Sequence, residues 1–406
     1  MTALAEDPRA LDRDVRVMAA IGVAHGQSHF FQLALPPFFP LLKTAFDVSY
    51  TELGAAMTAF YVASALGQFT AGFLVDRFGA VRVLGWGLGL LCLGAALIGV
   101  APGYWTLWPA MLLMGIGNSV FHPADFAILN ASVAPARLGR AYSIHGFTGA
   151  LGYATAPAVG VALGALVGWR AGMMAIAVVG AVAALGVLSQ RAYMVDHRRA
   201  AEARPSRGLE RDLRDLMTQP ILLCFAFFTL WSAALIGLQT FSVSALRDFM
   251  AVEIATGTAA LTAFLLASAV GMLGGGWVAD HWPRHEIVAL AGMTVAAAVI
   301  LAVGLNLIGP GLLIAAFTLA GFMSGATSPS RDMIVRKATP LGASGKVYGF
   351  VYSGLDVGSS LAPLGFGLAL DFGRPDLVFL VSAVILAIGS LTVIQVGRGA
   401  TQARTA

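Results

Sequence analysis

The chain has 406 residues, of which 58% are hydrophobic and only 11% charged, and a formal net charge of +4. Soluble domains carry about 25% charged residues, so this composition excludes a protein whose whole surface faces water. The positive balance needs no nucleic acid partner, because basic loops against an anionic leaflet account for it.

Apolar residues fall into twelve blocks of roughly the 20 residues that one helix needs to cross the hydrocarbon. They are predicted at 17–42, 52–75, 81–101, 105–131, 141–166, 170–190, 219–245, 256–279, 286–307, 310–335, 347–370 and 377–397. The 48 glycines favour close helix packing. The charged start, Glu6 to Arg16, and the polar interruptions His25, Gln27, His29 and Gln32 make the first block a retained helix, since a cleaved signal has a clean apolar core. Cys92 and Cys224 sit inside apolar blocks without metal-type spacing and read as core residues.

One long polar stretch, Arg191 to Asp215, interrupts the series. The expected organisation is an N-terminal six-helix bundle (1–190), a cytoplasmic linker (191–218) and a C-terminal six-helix bundle (219–406). With both termini and the linker inside, the outer loops hold only Lys43, Arg170, Arg247 and Arg374, while 20 of the 25 Lys and Arg lie inside. That asymmetry sets the orientation.

The halves repeat. Gly72-x3-Asp76 returns as Gly276-x3-Asp280, and Pro123, Arg140, Tyr142, Gly152 and Pro157 return 206 positions later as Pro329, Lys346, Tyr348, Gly358 and Pro363. These are parallel repeats, in which substrate sites lie near the midplane.

The stretch from Gly72 through Asp76, Arg77 and Gly79 to Arg82 resembles the loop motif of the major facilitator superfamily. The resemblance implies an all-α membrane fold of twelve transmembrane helices in two pseudo-symmetric six-helix bundles. It also implies gating roles for Gly72, Asp76, Arg77, Arg82, Gly276 and Asp280. Gly152 to Val161, with Pro157 and with Ala156 in place of the usual glycine, resembles the superfamily's antiporter motif, although small residues and a proline kink serve ordinary packing too. Ser28-His29 with Gln32, Pro40 and Phe46, together with Ser119 to Pro123, looks like the fosmidomycin-resistance branch of drug-efflux facilitators. The chain departs from that branch at Leu33 and Ala124, where the pattern has acids, and its nearest acid is Asp125.

A charge at a helix centre costs ~2.5–3.5 kcal/mol on insertion scales, so ionisable residues inside spans should face a cavity or a partner. His25, His29 and Gln32 share one helical face at i, i+4 and i+7, and Asn118, His122 and Asp125 repeat that spacing. His145 joins them from the fifth span; the C-terminal half offers Thr327, Arg331, Tyr352 and Asp356. Asp125 reads either as a proton-coupling carboxylate or as an ion-pair partner of Arg331, with Asp332 able to neutralise Arg331 locally. Arg331 alternatively suits an organic anion. Asp356 reads as a second coupling acid or a partner of a tyrosine or Arg331. His122 and His145 contact substrate or proton, or satisfy a backbone carbonyl. Trp231, Tyr348 and Tyr352 line the cavity or pack.

No nucleotide-binding loop is present, since Gly345-Lys346 lacks the first glycine, and neither is a zinc-protease motif or a nucleophile elbow. The expectation is a cofactor-free, metal-free secondary transporter and not an enzyme. It is a monomer in the cytoplasmic membrane, with both termini cytoplasmic, moving protons and a small organic solute outward. Uptake of an organic anion, a divalent metal carrier using His25 and His29, and a non-transporting sensor are the alternatives.

Overall fold

The computed structural model describes residues 8–134, 137–195, 217–282, 284–338 and 344–405. The described residues are helical nearly throughout: α1 (Pro8–Gln32), α2 (Phe39–Phe46), α3 (Tyr50–Phe78), α4 (Ala80–Gly99), α5 (Leu107–Asn118), α6 (Phe121–Ser132), α7 (Leu138–Ser189), α8 (Gln219–Met250), α9 (Ile254–His281), α10 (His285–Gly304), α11 (Leu313–Ala338), α12 (Ser344–Asp371) and α13 (Leu377–Thr405). Among them, seven helical stretches are long and apolar enough to cross a membrane. One of the seven, Arg140–Tyr193, holds two of the expected spans.

Those two spans run on as α7 and part at Gly168, whose φ of 76° lies in the left-handed region that glycine enters at little cost. Two other predicted spans are not continuous helices. The first ends at Gln32, because Pro36 disfavours helical backbone at Leu35, and a short 3-10 turn at Pro36–Phe38 leads into α2. The fourth breaks at Ser119 and Val120; Pro123, with no N–H to return to Ser119, opens the first turn of α6. Its repeat counterpart Pro329 lies inside the unbroken α11.

The contacts define two compact units. One comprises Met1–Phe38 and Val62–Glu202, the other Phe39–Tyr61 and Ala203–Ala406. In the first, α1 packs on α7 while α4 packs on α5 and α7; in the second, α8 packs on α12 and α13 while α10 packs on α11 and α13. The sequence repeat explains the correspondence. A Cβ at Gly152 would overlap the Gly26 carbonyl of α1, and one at Gly358 would overlap the Thr229 carbonyl of α8. Only glycine permits that backbone approach.

In the second unit, Ser49 and Glu52 form a reciprocal cap at the start of α3: the Ser49 N–H donates to Glu52 at 2.8 Å and the Glu52 N–H to Ser49 at 3.1 Å. Asp371, the last residue of α12, accepts the Tyr50 N–H at 2.8 Å, the Thr51 N–H at 2.7 Å and the Thr51 hydroxyl. Its charge complements the positive end of α3. Both cysteines are free and buried.

Candidate functional site

The polar stripe of α1 closes on residues from α6 and α7 in the first unit. The His145 Nε2 and Asp125 Oδ2 are hydrogen-bonded at 3.1 Å, and the His25 Nδ1 lies 3.4 Å from the same oxygen. The His25 and His145 rings stack at 3.5 Å between centroids; His122 stands 5.2 Å from His25 and 6.0 Å from His145. Asp125 is fully buried, His25 and His145 nearly so, and His122 is exposed. Ligand atoms of His25, His122 and His145 lie within 4.8 Å of one another.

A second network adjoins this cluster. The Asn118 Oδ1 accepts from Ser28 at 2.7 Å and from the Gln32 Nε2 at 3.2 Å, while its Nδ2 donates to Ser64 at 2.9 Å. The Tyr153 hydroxyl donates to the Gln32 Oε1 at 2.6 Å, and its ring lies 4.3 Å from His29, itself 4.3 Å from His25. The structure therefore unites all seven N-terminal candidates: His25, His29, Gln32, Asn118, His122, Asp125 and His145. Sequence reasoning missed Ser64 and Tyr153. A serine in an apolar block carries no distinguishing signal, whereas Tyr153 adjoins the glycine of the antiporter-like motif and could have been weighed.

On its other face, α1 borders a cavity of about 550 Å³ against α7, lined mainly by apolar and small residues such as Gly22, Phe30, Leu151 and Val179. At the N-terminal end of α1, Asp14 accepts the Ala134 N–H at 3.0 Å and pairs with the Arg137 Nε and Nη2 at 2.9 Å each. Burial opposes the Asp14 charge, but these donors outweigh it and hold its pKa below the usual carboxylate value.

In the second unit, the Arg331 Nε pairs with Asp332 at 3.1 Å, the Tyr352 hydroxyl donates to the same carboxylate at 3.0 Å, and the guanidinium lies 4.6 Å and 4.7 Å from the Phe228 and Trp231 ring centroids. Asp332 thus provides the local neutralisation of Arg331. Thr327 is buried and donates to the Ser324 carbonyl; the half-buried Asp356 receives the Ser360 hydroxyl on its backbone carbonyl.

Around the loop motif, Gly79 turns α3 into α4 at φ 91°, Arg82 donates to the Phe78 carbonyl at 3.2 Å, and Arg77 lies 5.2 Å from the Phe78 ring centroid. Gly72 and Gly276 have open space where a Cβ would stand. The side chains of Asp76, Asp280 and Tyr348 are outside what the structure describes.

The family model of the Major Facilitator Superfamily matches residues 21–260 and 241–403. The chain belongs to this superfamily. The Fosmidomycin resistance protein of Escherichia coli (strain K12) is 25% identical to it over 384 residues, covering 93% of this chain and 92% of that one. The Multidrug resistance protein MdtH of Escherichia coli (strain SMS-3-5 / SECEC) is 25% identical over 391 residues, 91% of each. A solved bacterial homolog to the human lysosomal transporter Spinster, in an inward-facing and occupied conformation, aligns with a TM-score of 0.76 at 14% identity, over 94% of this chain and 96% of that one. The major facilitator fold is thus all-α, with twelve transmembrane helices in two pseudo-symmetric bundles, and the chain is a multi-pass membrane transporter.

Proposed function

We propose that this superfamily member exports small organic compounds in exchange for protons by alternating access, as a monomer in the cytoplasmic membrane with both termini inside. Residues 1–190 and 219–406 act as the two bundles, joined by the linker 191–218. The observation that carries the coupling is a fully buried carboxylate, Asp125, against His145 and His25. A lone charge in the bilayer costs ~2.5–3.5 kcal/mol, so the energy of this cluster depends on where its protons reside, and conformations that open it to opposite sides exchange protons with opposite compartments. Gln32, Asn118 and Tyr153 supply donors and acceptors beside it for a polar substrate. The resistance names of the two curated relatives support the outward direction. Thr327, Arg331, Tyr352 and Asp356 serve in binding or coupling within the second unit, and Gly72, Asp76, Arg77, Arg82, Gly276 and Asp280 gate.

One proton moved down 100 mV releases ~2.3 kcal/mol, enough for roughly a fiftyfold gradient of a neutral solute. A single coupling acid therefore suffices. The test is solute flux in right-side-out vesicles under pH gradients of both signs, with fosmidomycin as the first probe. An inward proton gradient should drive loss of preloaded solute. Accumulation under that gradient would overturn export and favour uptake of an organic anion. Asp125→Asn keeps the shape of the side chain and drops the charge; gradient-driven flux should fall at least tenfold, and full flux in this variant would remove Asp125 from the coupling role.

A further inference from the structure

We propose that His25, His122, His145 and Asp125 form a binding site for one divalent first-row transition ion of the zinc class. Three imidazoles and a carboxylate are the donor set such ions prefer, and harder cations such as magnesium would not select it. The four side chains come from three separate helices, so their convergence is a property of the fold and not of one helical stripe. The ligand atoms of the three histidines lie within 4.8 Å of one another. A tetrahedral ion with metal–nitrogen distances of about 2.0–2.1 Å sets its ligands about 3.4 Å apart, so small side-chain rotations close the site.

Two further observations point to a guest. The Asp125 Oδ1 is buried without a hydrogen-bond partner, and the His25 Nδ1, 3.4 Å from the other Asp125 oxygen, makes no hydrogen bond either. Buried polar atoms in native structures nearly always have partners, and an ion is one of the accepted explanations for those that do not. The pair His25 and His29, read from the i, i+4 spacing, is not the core of this site: His25 takes its co-ligands from α6 and α7, and His29 stands behind it beside Tyr153.

The site requires no assumption about protons or direction of transport, and its test reads binding alone. Tag-free full-length protein in detergent is titrated with Zn²⁺ by calorimetry and with Co²⁺ by visible absorption. One equivalent should bind, and the cobalt form should show the intense d–d bands of tetrahedral coordination. His122→Gln and His145→Gln should each weaken binding more than tenfold, whereas His281→Ala, at an exposed histidine outside the cluster, should leave it unchanged. X-ray absorption at the zinc edge of the unmutated protein should show imidazole and oxygen ligands at about 2.0–2.1 Å and no sulfur, a readout independent of how the variants fold. Absence of stoichiometric binding, sulfur among the ligands, or affinity in either glutamine variant equal to that of the unmutated protein would overturn the proposal.

Discussion

Replacing Asp14 by Ala removes one carboxylate oxygen on which three donors converge: the Ala134 N–H at 3.0 Å and the Arg137 Nε and Nη2 at 2.9 Å each. Hydrogen bonds to charged groups contribute about 1.5–3 kcal/mol and a stranded buried donor costs about 1–3 kcal/mol. Burying the carboxylate itself offsets part of that gain, which leaves an expected destabilisation of about 3 kcal/mol. At about 2–4 °C per kcal/mol for a unit of this size, the apparent Tm should fall by about 6–12 °C. Asp14→Asn keeps an acceptor and drops the charge, so about half that loss is expected. Intrinsic tryptophan fluorescence during heating in detergent measures both. The native pKa of Asp14 lies below its unfolded value, so its stabilisation is fully present above about pH 3.9 and is lost as pH falls through the lower native value. The difference between the unmutated protein and Asp14→Ala should therefore hold from pH 8 to 5 and shrink below 4. A Tm within 2 °C at pH 7, or a gap that widens on acidification, would refute the reasoning.

Two further outcomes follow from the hydrogen-bond geometry. Asn118→Ala removes three side-chain bonds, to Ser28, Gln32 and Ser64; at an average of ~0.6 kcal/mol for bonds between membrane helices, a loss of about 2 kcal/mol is expected in thermal unfolding. Asn130→Ala, at an exposed position, should differ by less than a quarter of that, and equal effects at the two sites would sink the assignment. Asp371→Ala releases the Tyr50 and Thr51 amides at the start of α3, so hydrogen exchange there should quicken at least tenfold, or about 1.4 kcal/mol of local opening; unchanged exchange at both amides would show that the cap contributes nothing.

The amino-acid sequence by itself determined that this is a membrane protein, where its helices run and which faces of them are polar. Apolar length and helical period are local properties, and the repeat of small residues and prolines is written in the chain. His25, His29 and Gln32 had to share a face of α1 because 3.6 residues make a turn. Hydropathy did not show where the spans break. Both Leu33–Leu35 and Ser119–Val120 are apolar enough to continue a helix, and they break because nearby prolines deny the backbone its donors or its helical angles.

Partners were decided only by the tertiary structure. Asp125 meets His145, 20 residues further along the chain, and Arg331 meets its own neighbour Asp332, although repeat logic had offered Asp125 and Arg331 to each other. Residues 39–61 precede the linker in sequence yet belong to the second unit, where the N–H groups at the start of α3 find the Asp371 carboxylate at the end of α12. Periodicity fixes the direction in which a side chain leaves its helix. What it meets depends on where close-packed glycines such as Gly152 and Gly358 set the neighbouring helices, a distance no single segment encodes.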